Sequence, residues 1–115
     1  FSHETALAVH DLGDLNPAKL HMTVPRGFRR RVPTPPVVVL HREDLPASDI
    51  QQMDGFRVTR ALRAIVDLSG AGEVPQNALR IALAEGVARG LVGIEERERA
   101  RDQGLLVALG DGEKR

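Results

Sequence analysis

Apolar residues recur along this chain in two rhythms, and the change from one to the other divides it. A short opening segment comes first: Ser2 is placed as an N-cap, Glu4 lies in the first turn, and Ala6, Leu7, Val9 and Leu12 follow, which predicts a helix over about Thr5–Leu12. Gly13 closes it and Asn16-Pro17 marks a turn. From Lys19 to Pro25 the apolar residues Leu20, Met22 and Val24 alternate with Lys19, His21 and Thr23. That period of two predicts a strand with one buried face. Val32 to Pro36 holds three prolines, too many for a helix or a central strand, and reads as a stiff loop. Val37–Leu40 is a compact β-branched run and predicts a second strand. Asp49–Met53 predicts a third, and Asp54-Gly55 turns it into Phe56–Val58 as a hairpin.

Beyond residue 58 the spacing becomes helical. Thr59 is placed to cap a helix carrying Leu62, Ile65 and Val66 and ending near Gly70. A second helix starts at Glu73–Gln76 with Pro75 in its first turn, and Leu79, Ala82, Leu83 and Val87 form its inner stripe. Gly90 stands where a left-handed C-cap belongs. Ile94–Gln103 is dense in charge, with Glu95 and Arg99 at helical spacing, and reads as a solvated helix. Leu105–Leu109 is expected to fold back on the core and the last residues to fray. One N-terminal helix, three or four short strands and then three clustered helices predict an α+β domain with a mostly antiparallel sheet, spanning residues 1–115.

Composition narrows the chemistry. At 42% hydrophobic and 28% charged residues the chain is ordinary for a water-soluble globular domain. With three Phe as the only aromatics, the core must be built from Leu, Val, Ile and Ala. The absence of cysteine rules out disulfides and thiolate metal sites and fits a reducing, cytoplasmic location. No apolar run approaches the ~20 residues needed to span a bilayer, so no membrane role is expected. The opening at Phe1 without a methionine suggests a piece of a longer protein.

Charge is where the chain departs from the ordinary. Its formal net charge is zero, yet the stretch from Lys19 to Arg42 carries six basic side chains (Lys19, Arg26, Arg29, Arg30, Arg31 and Arg42) and no acidic one. Guanidinium groups match phosphates and carboxylates by paired hydrogen bonds. The bland alternative is a solvated arginine-rich loop, neutralised from elsewhere by Glu43, Asp44 or the Glu95–Glu98 segment. Segregation this sharp in a neutral chain points to an anionic or acidic partner, DNA phosphate or protein.

No catalytic constellation competes. His3, His10, His21 and His41 form no metal-ligand spacing, so no metal or cofactor is expected. Ser2, Ser48 and Ser69 lack the glycine-flanked elbow of a nucleophilic serine, and no phosphate-binding glycine loop is present. The expectation is a protein without enzymatic activity. Asp67 stands out, because it lies in an apolar helical segment near the C-terminal end, where the helix dipole disfavours a carboxylate. Arg63, one turn earlier, can brace it.

Three segments in order, Phe1–Ala8, His21–Arg30 and Asp54–Leu68, resemble the C-terminal domain of AbiEi-type antitoxins, and Gly86–Val92 continues the likeness. The resemblance covers almost the whole chain. It implies a transcriptional regulator of a bacterial toxin–antitoxin (abortive-infection) pair. Such a protein carries an N-terminal winged helix for operator DNA and counters a nucleotidyltransferase-like toxin encoded beside it. By position, Thr59, Arg63 and Asp67 match the family's helix motif, and Arg26, Arg29, Arg30 and Arg31 match its basic strand end. Ala61, Ala64 and Gly93 depart from it, standing where proline, threonine and a capping Ser or Thr are usual. The alternative implied by a related set of proteins is a nucleic-acid-binding accessory domain ahead of a nuclease-like domain.

Overall fold

In a computed structural model, residues 1–12, 19–29, 34–72 and 74–106 are described. The chain is α+β. Its elements run α1 (His3–Val9), β1 (Leu20–Val24), β2 (Val38–Arg42), a 3-10 turn (Ala47–Asp49), β3 (Ile50–Met53), β4 (Phe56–Thr59), α2 (Ala61–Ala71), α3 (Gln76–Ala88) and α4 (Ile94–Asp102). The strands form two separate pairs. β3 and β4 are the expected antiparallel hairpin around Asp54-Gly55, with Met53 opposite Phe56. β1 and β2 pair in parallel, Leu20 against Val38 through Val24 against Arg42, so the first two strands are a ribbon of the opposite sense.

Helix α1 begins and ends earlier than its sequence suggests. Ser2 holds the N-cap position, but its hydroxyl caps nothing and instead meets Thr23 and His3. Asp11 takes a left-handed φ of 58° and stops the helix before Gly13, which lies outside the described residues. Leu12, beyond the helix, still packs at 0% exposure, with its N–H donated to the carbonyl of Leu7.

The core is aliphatic, as composition requires. Leu7 of α1, Leu12, Val58 of β4, Ile65 and Leu68 of α2, Leu79 of α3 and Val92 are its largest buried apolar side chains. α2 packs between α1 and α3. Phe1 runs beside β4, its nitrogen donating to Arg57 O and its carbonyl accepting from Thr59 N–H, while its ring meets Phe56 edge-on at 5.4 Å. Gly72, at φ 74°, closes α2 in the left-handed geometry that glycine adopts without strain. Gly90, at φ 79°, turns the chain after α3 as the sequence indicates, so that Leu91 and Val92 both donate to Gly86 O. At the start of α4 the Gly93 N–H donates to Glu96 Oε1 at 2.7 Å, half of a capping box made without a capping hydroxyl. No helix among the described residues is long and apolar enough to cross a membrane.

Candidate partner-binding surface

The parallel ribbon decides where the basic residues go. Arg42 ends β2 and faces Val24 across the ladder, while Arg26 and Arg29 follow β1 directly; all three side chains are exposed. They therefore gather at the C-terminal end of the ribbon. Lys19, also exposed, precedes β1 at the opposite end. Five strand residues at about 3.3 Å each hold it away, and it does not join the cluster. Arg30 and Arg31 lie outside the described residues.

Of the carboxylates that could neutralise this cluster, Glu43, Glu96 and Glu98 are engaged elsewhere, whereas Asp44 stays beside it. Glu43 pairs with Arg63. Asp44 accepts the backbone N–H of Arg26 at 3.0 Å, which fixes the turn. Glu96 pairs with Arg60, and Glu98 with Arg97 and Arg101, so these two carboxylates of α4 are spent within their own region. These contacts replace the Glu95–Arg99 pair that the sequence suggests. Arg42 donates to the carbonyl of Phe28 and pins the loop between the arginines. Among the described residues, no side-chain hydrogen bond or ion pair involves Arg26 or Arg29. The cluster is thus a set of exposed guanidiniums on a braced turn.

The second predicted group forms a buried node. Arg63 Nε meets Asp67 Oδ1 at 3.0 Å, its Nη1 lies 3.3 Å from Asp49, and its Nη2 pairs with Glu43. One guanidinium therefore ties α2 to the end of β2 and to the 3-10 turn. Burial opposes the Arg63 charge, but the hydrogen bonds to Glu43 and Asp67 outweigh it and hold its pKa above the ordinary value. Burial raises the Asp67 pKa against the pull of Arg63, and its Oδ2 has no hydrogen-bond partner. Thr59 is not a cap: it is 2% exposed at the end of β4, its hydroxyl is unpartnered, and Arg60 holds the N-cap position. A threonine just before an alanine-rich helix start signals a cap, but here β4 needs its last residue inside the core.

Sequence reasoning passed over the group that seats the ribbon. His3, His21 and His41 stack on one another, with ring centroids 3.6 Å apart for His3–His41 and 5.3 Å for His21–His41. His21 Nδ1 and His41 Nε2 share a hydrogen bond at 3.1 Å. The His3 backbone sits at φ 52°, unusual for a non-glycine residue, in the turn that enters α1. Burial lowers the His3 pKa to about 4, with the rings of His41 and His21 adding to the effect. Around the stack, Thr23 Oγ1 donates to Ser2 Oγ at 2.8 Å, Thr5 Oγ1 accepts from His21 N–H, and Ser2 N–H donates to His21 O. The ribbon thus docks on α1 through His21 and Thr23, the positions its alternation had marked as outward. The available signal was composition, since histidine and threonine on a strand beside a Ser-His helix start can satisfy one another. No grouping of three or more acidic or histidine side chains among the described residues is arranged to hold a metal ion.

A shallow cleft of about 350 Å³ opens between the 3-10 turn, α2 and α4, lined among others by Asp49, Arg60, Arg63, Val66, Glu96 and Leu105. Its charges are mostly paired with one another, Arg60 with Glu96 and Arg63 with Asp49. It offers less to a charged partner than the ribbon end does. No family model matches this chain, and no curated protein or solved structure is significantly similar to it.

Proposed function

We propose that this chain is a non-catalytic binding domain of the antitoxin and transcriptional-regulator type, acting in the cytoplasm. Its cationic ribbon end receives an acidic face of a nucleotidyltransferase-like toxin. In the full-length protein the same arginines add backbone contacts to DNA read by another domain. One observation carries the reading: Arg26, Arg29 and Arg42 stand exposed at one end of the ribbon, beside a turn held by Asp44 and the Phe28 carbonyl, while Glu43 is taken up by Arg63. Arg26 and Arg29, whose side chains have no partner among the described residues, add little to stability, because surface charges contribute little at best. Their accumulation on one turn is better explained by an external anion. The resemblance to AbiEi-type antitoxins supports a toxin as the partner, and the exposed arginines support the ribbon end as the surface.

The test is replacement of Arg26, Arg29 and Arg42 by alanine, followed by binding to the product of the adjacent gene and to duplex DNA over a range of salt. The melting temperature should change little, because none of the three lies in the core. Affinity should fall, with a shallower dependence on salt than in the parent chain. Undiminished binding at low salt would remove the ribbon end from the function.

A further inference from the structure

Among the described residues, the parallel ribbon has one strand edge without a neighbour. In the parallel ladder, Leu20, Met22 and Val24 turn their backbone groups to β2, while residues 37, 39, 41 and 43 of the second chain segment turn theirs to β1. The bonds Leu20 N to Val37 O at 2.7 Å and Glu43 N to Val24 O at 2.9 Å mark the two ends of this arrangement. The other edge of β1 is occupied at His21, whose N–H meets Thr5 Oγ1 and whose carbonyl accepts from Ser2 N–H. On β2 the outward groups are the Val38 carbonyl and both the N–H and C=O of Leu40 and Arg42. Val38 N–H is already used by Pro35 O. Among the described residues nothing hydrogen-bonds to the remaining outward groups, and β2 has β1 as its sole strand neighbour.

The side chains beside this edge are of the kind a strand would cover. Register places Leu20, Met22, Val24, Val38 and Leu40 on the face away from the histidine stack, and none of them is fully buried. Leu20 is 41% exposed. Two-stranded sheets are rarely stable alone, and parallel ones are ordinarily covered on both faces. The edge ends at Arg42, next to Arg26 and Arg29, with no lysine or proline within β2 to block pairing.

We propose that the outer edge of β2 accepts an extended segment of a protein partner as a third strand. Val38, Leu40 and Arg42 supply the backbone pairing, apolar side chains of the segment stand beside Val38 and Leu40 on the face away from the histidine stack, and carboxylates at one end meet Arg42, Arg29 and Arg26. Backbone pairing gives such a site its affinity, and the alternating side chains together with the charged end give it direction. The inference shares Arg26, Arg29 and Arg42 with the proposed function but does not require the partner to be a toxin.

The experiment is an NMR titration of the 115-residue chain with a short synthetic peptide that alternates valine and threonine and ends in two aspartates. In the free chain the Leu40 and Arg42 amides exchange with solvent faster than those of Met22 and His41. On titration the Leu40 and Arg42 amides shift and become protected. A peptide N-methylated on its pairing edge binds at least tenfold more weakly, and so does the parent peptide to Leu40→Pro. That substitution removes an N–H which the β1–β2 ladder does not use. Slow exchange at Leu40 and Arg42 before peptide is added would overturn the proposal, because the chain would already fill its own edge. Equal binding of the N-methylated peptide, or shifts elsewhere, would overturn it as well. If the arginine variants lose the adjacent gene product while Leu40→Pro keeps it and the peptide fails to bind, strand acceptance falls and the proposed function survives.

Discussion

At the scale of single residues, His3 and Asp67 are both shifted by burial and act in opposite directions with pH. His3 is neutral above about pH 6.5 whether the chain is folded or not, but the folded site resists its protonation down to about 4. As pH falls through that interval the unfolded chain takes up a proton that the folded chain refuses, so stability is lost, by about 3 kcal/mol at the limit. Asp67, raised above its ordinary value, returns some of this on acidification, because the folded chain is protonated there first. Urea unfolding at pH 7 and pH 4.5 should show the net loss, and His3→Gln should shrink it; equal loss in both proteins would contradict the assignment to His3. Arg63 makes the sharper demand. Arg63→Met leaves Glu43, Asp49 and Asp67 facing one another without their shared cation, on a side chain only 17% exposed, and should cost about 3 kcal/mol at neutral pH. The cost should diminish in acid as Asp67, held above its ordinary value by burial, is protonated. Asp67→Ala should lower the melting temperature by only a few degrees, since its second oxygen is already unsatisfied and Arg63 keeps two partners.

Among the elements, those set by a strong local rhythm were legible and those set by tertiary fit were not. The α2 and α3 stripes, the Asp54-Gly55 hairpin, the Gly90 turn and α4 stand close to where periodicity and turn chemistry put them. β1 was found as a strand but facing the wrong way. Alternation says which residues share a face, and it cannot say that a helix start rich in Ser, His and Thr will accept the polar side. The parallel sense of β1 and β2 was hidden too, because period-two alternation is the same for either sense of pairing. The Arg63–Asp67 pair was readable from its spacing, whereas Glu43 and Asp49 reach it only through the fold. Gly86 shows the same limit: it looks like an ordinary weak spot in α3, yet a Cβ there would come within 2.9 Å of Val92 Cγ2 in the core. Gly86→Val should therefore destabilise by about 2 kcal/mol, read as a lower urea midpoint with an unchanged slope. A neutral result would contradict a tight Gly86–Val92 contact.

At the scale of the whole molecule, the described residues form an aliphatic body of helices and one hairpin that carries a polar-docked ribbon with cations at its tip. The body holds the core, so the tip can change without disturbing the fold, and that separation is what a binding role requires. The sequence made the charge segregation plain but spread it over Lys19 to Arg42, whereas the parallel ribbon gathers Arg26, Arg29 and Arg42 and sends Lys19 away. Lys19→Ala should accordingly leave partner affinity within about twofold, a change below roughly 0.4 kcal/mol, in the titration where the triple arginine variant loses it. The most direct measurement is co-expression of this chain, in its full-length context, with the product of the adjacent gene, scored for growth rescue and for a co-purifying complex. The account predicts rescue and a complex with the parent sequence, and loss of both with Arg26, Arg29 and Arg42 replaced by alanine at unchanged melting temperature. Rescue and a stable complex retained by that variant would contradict it.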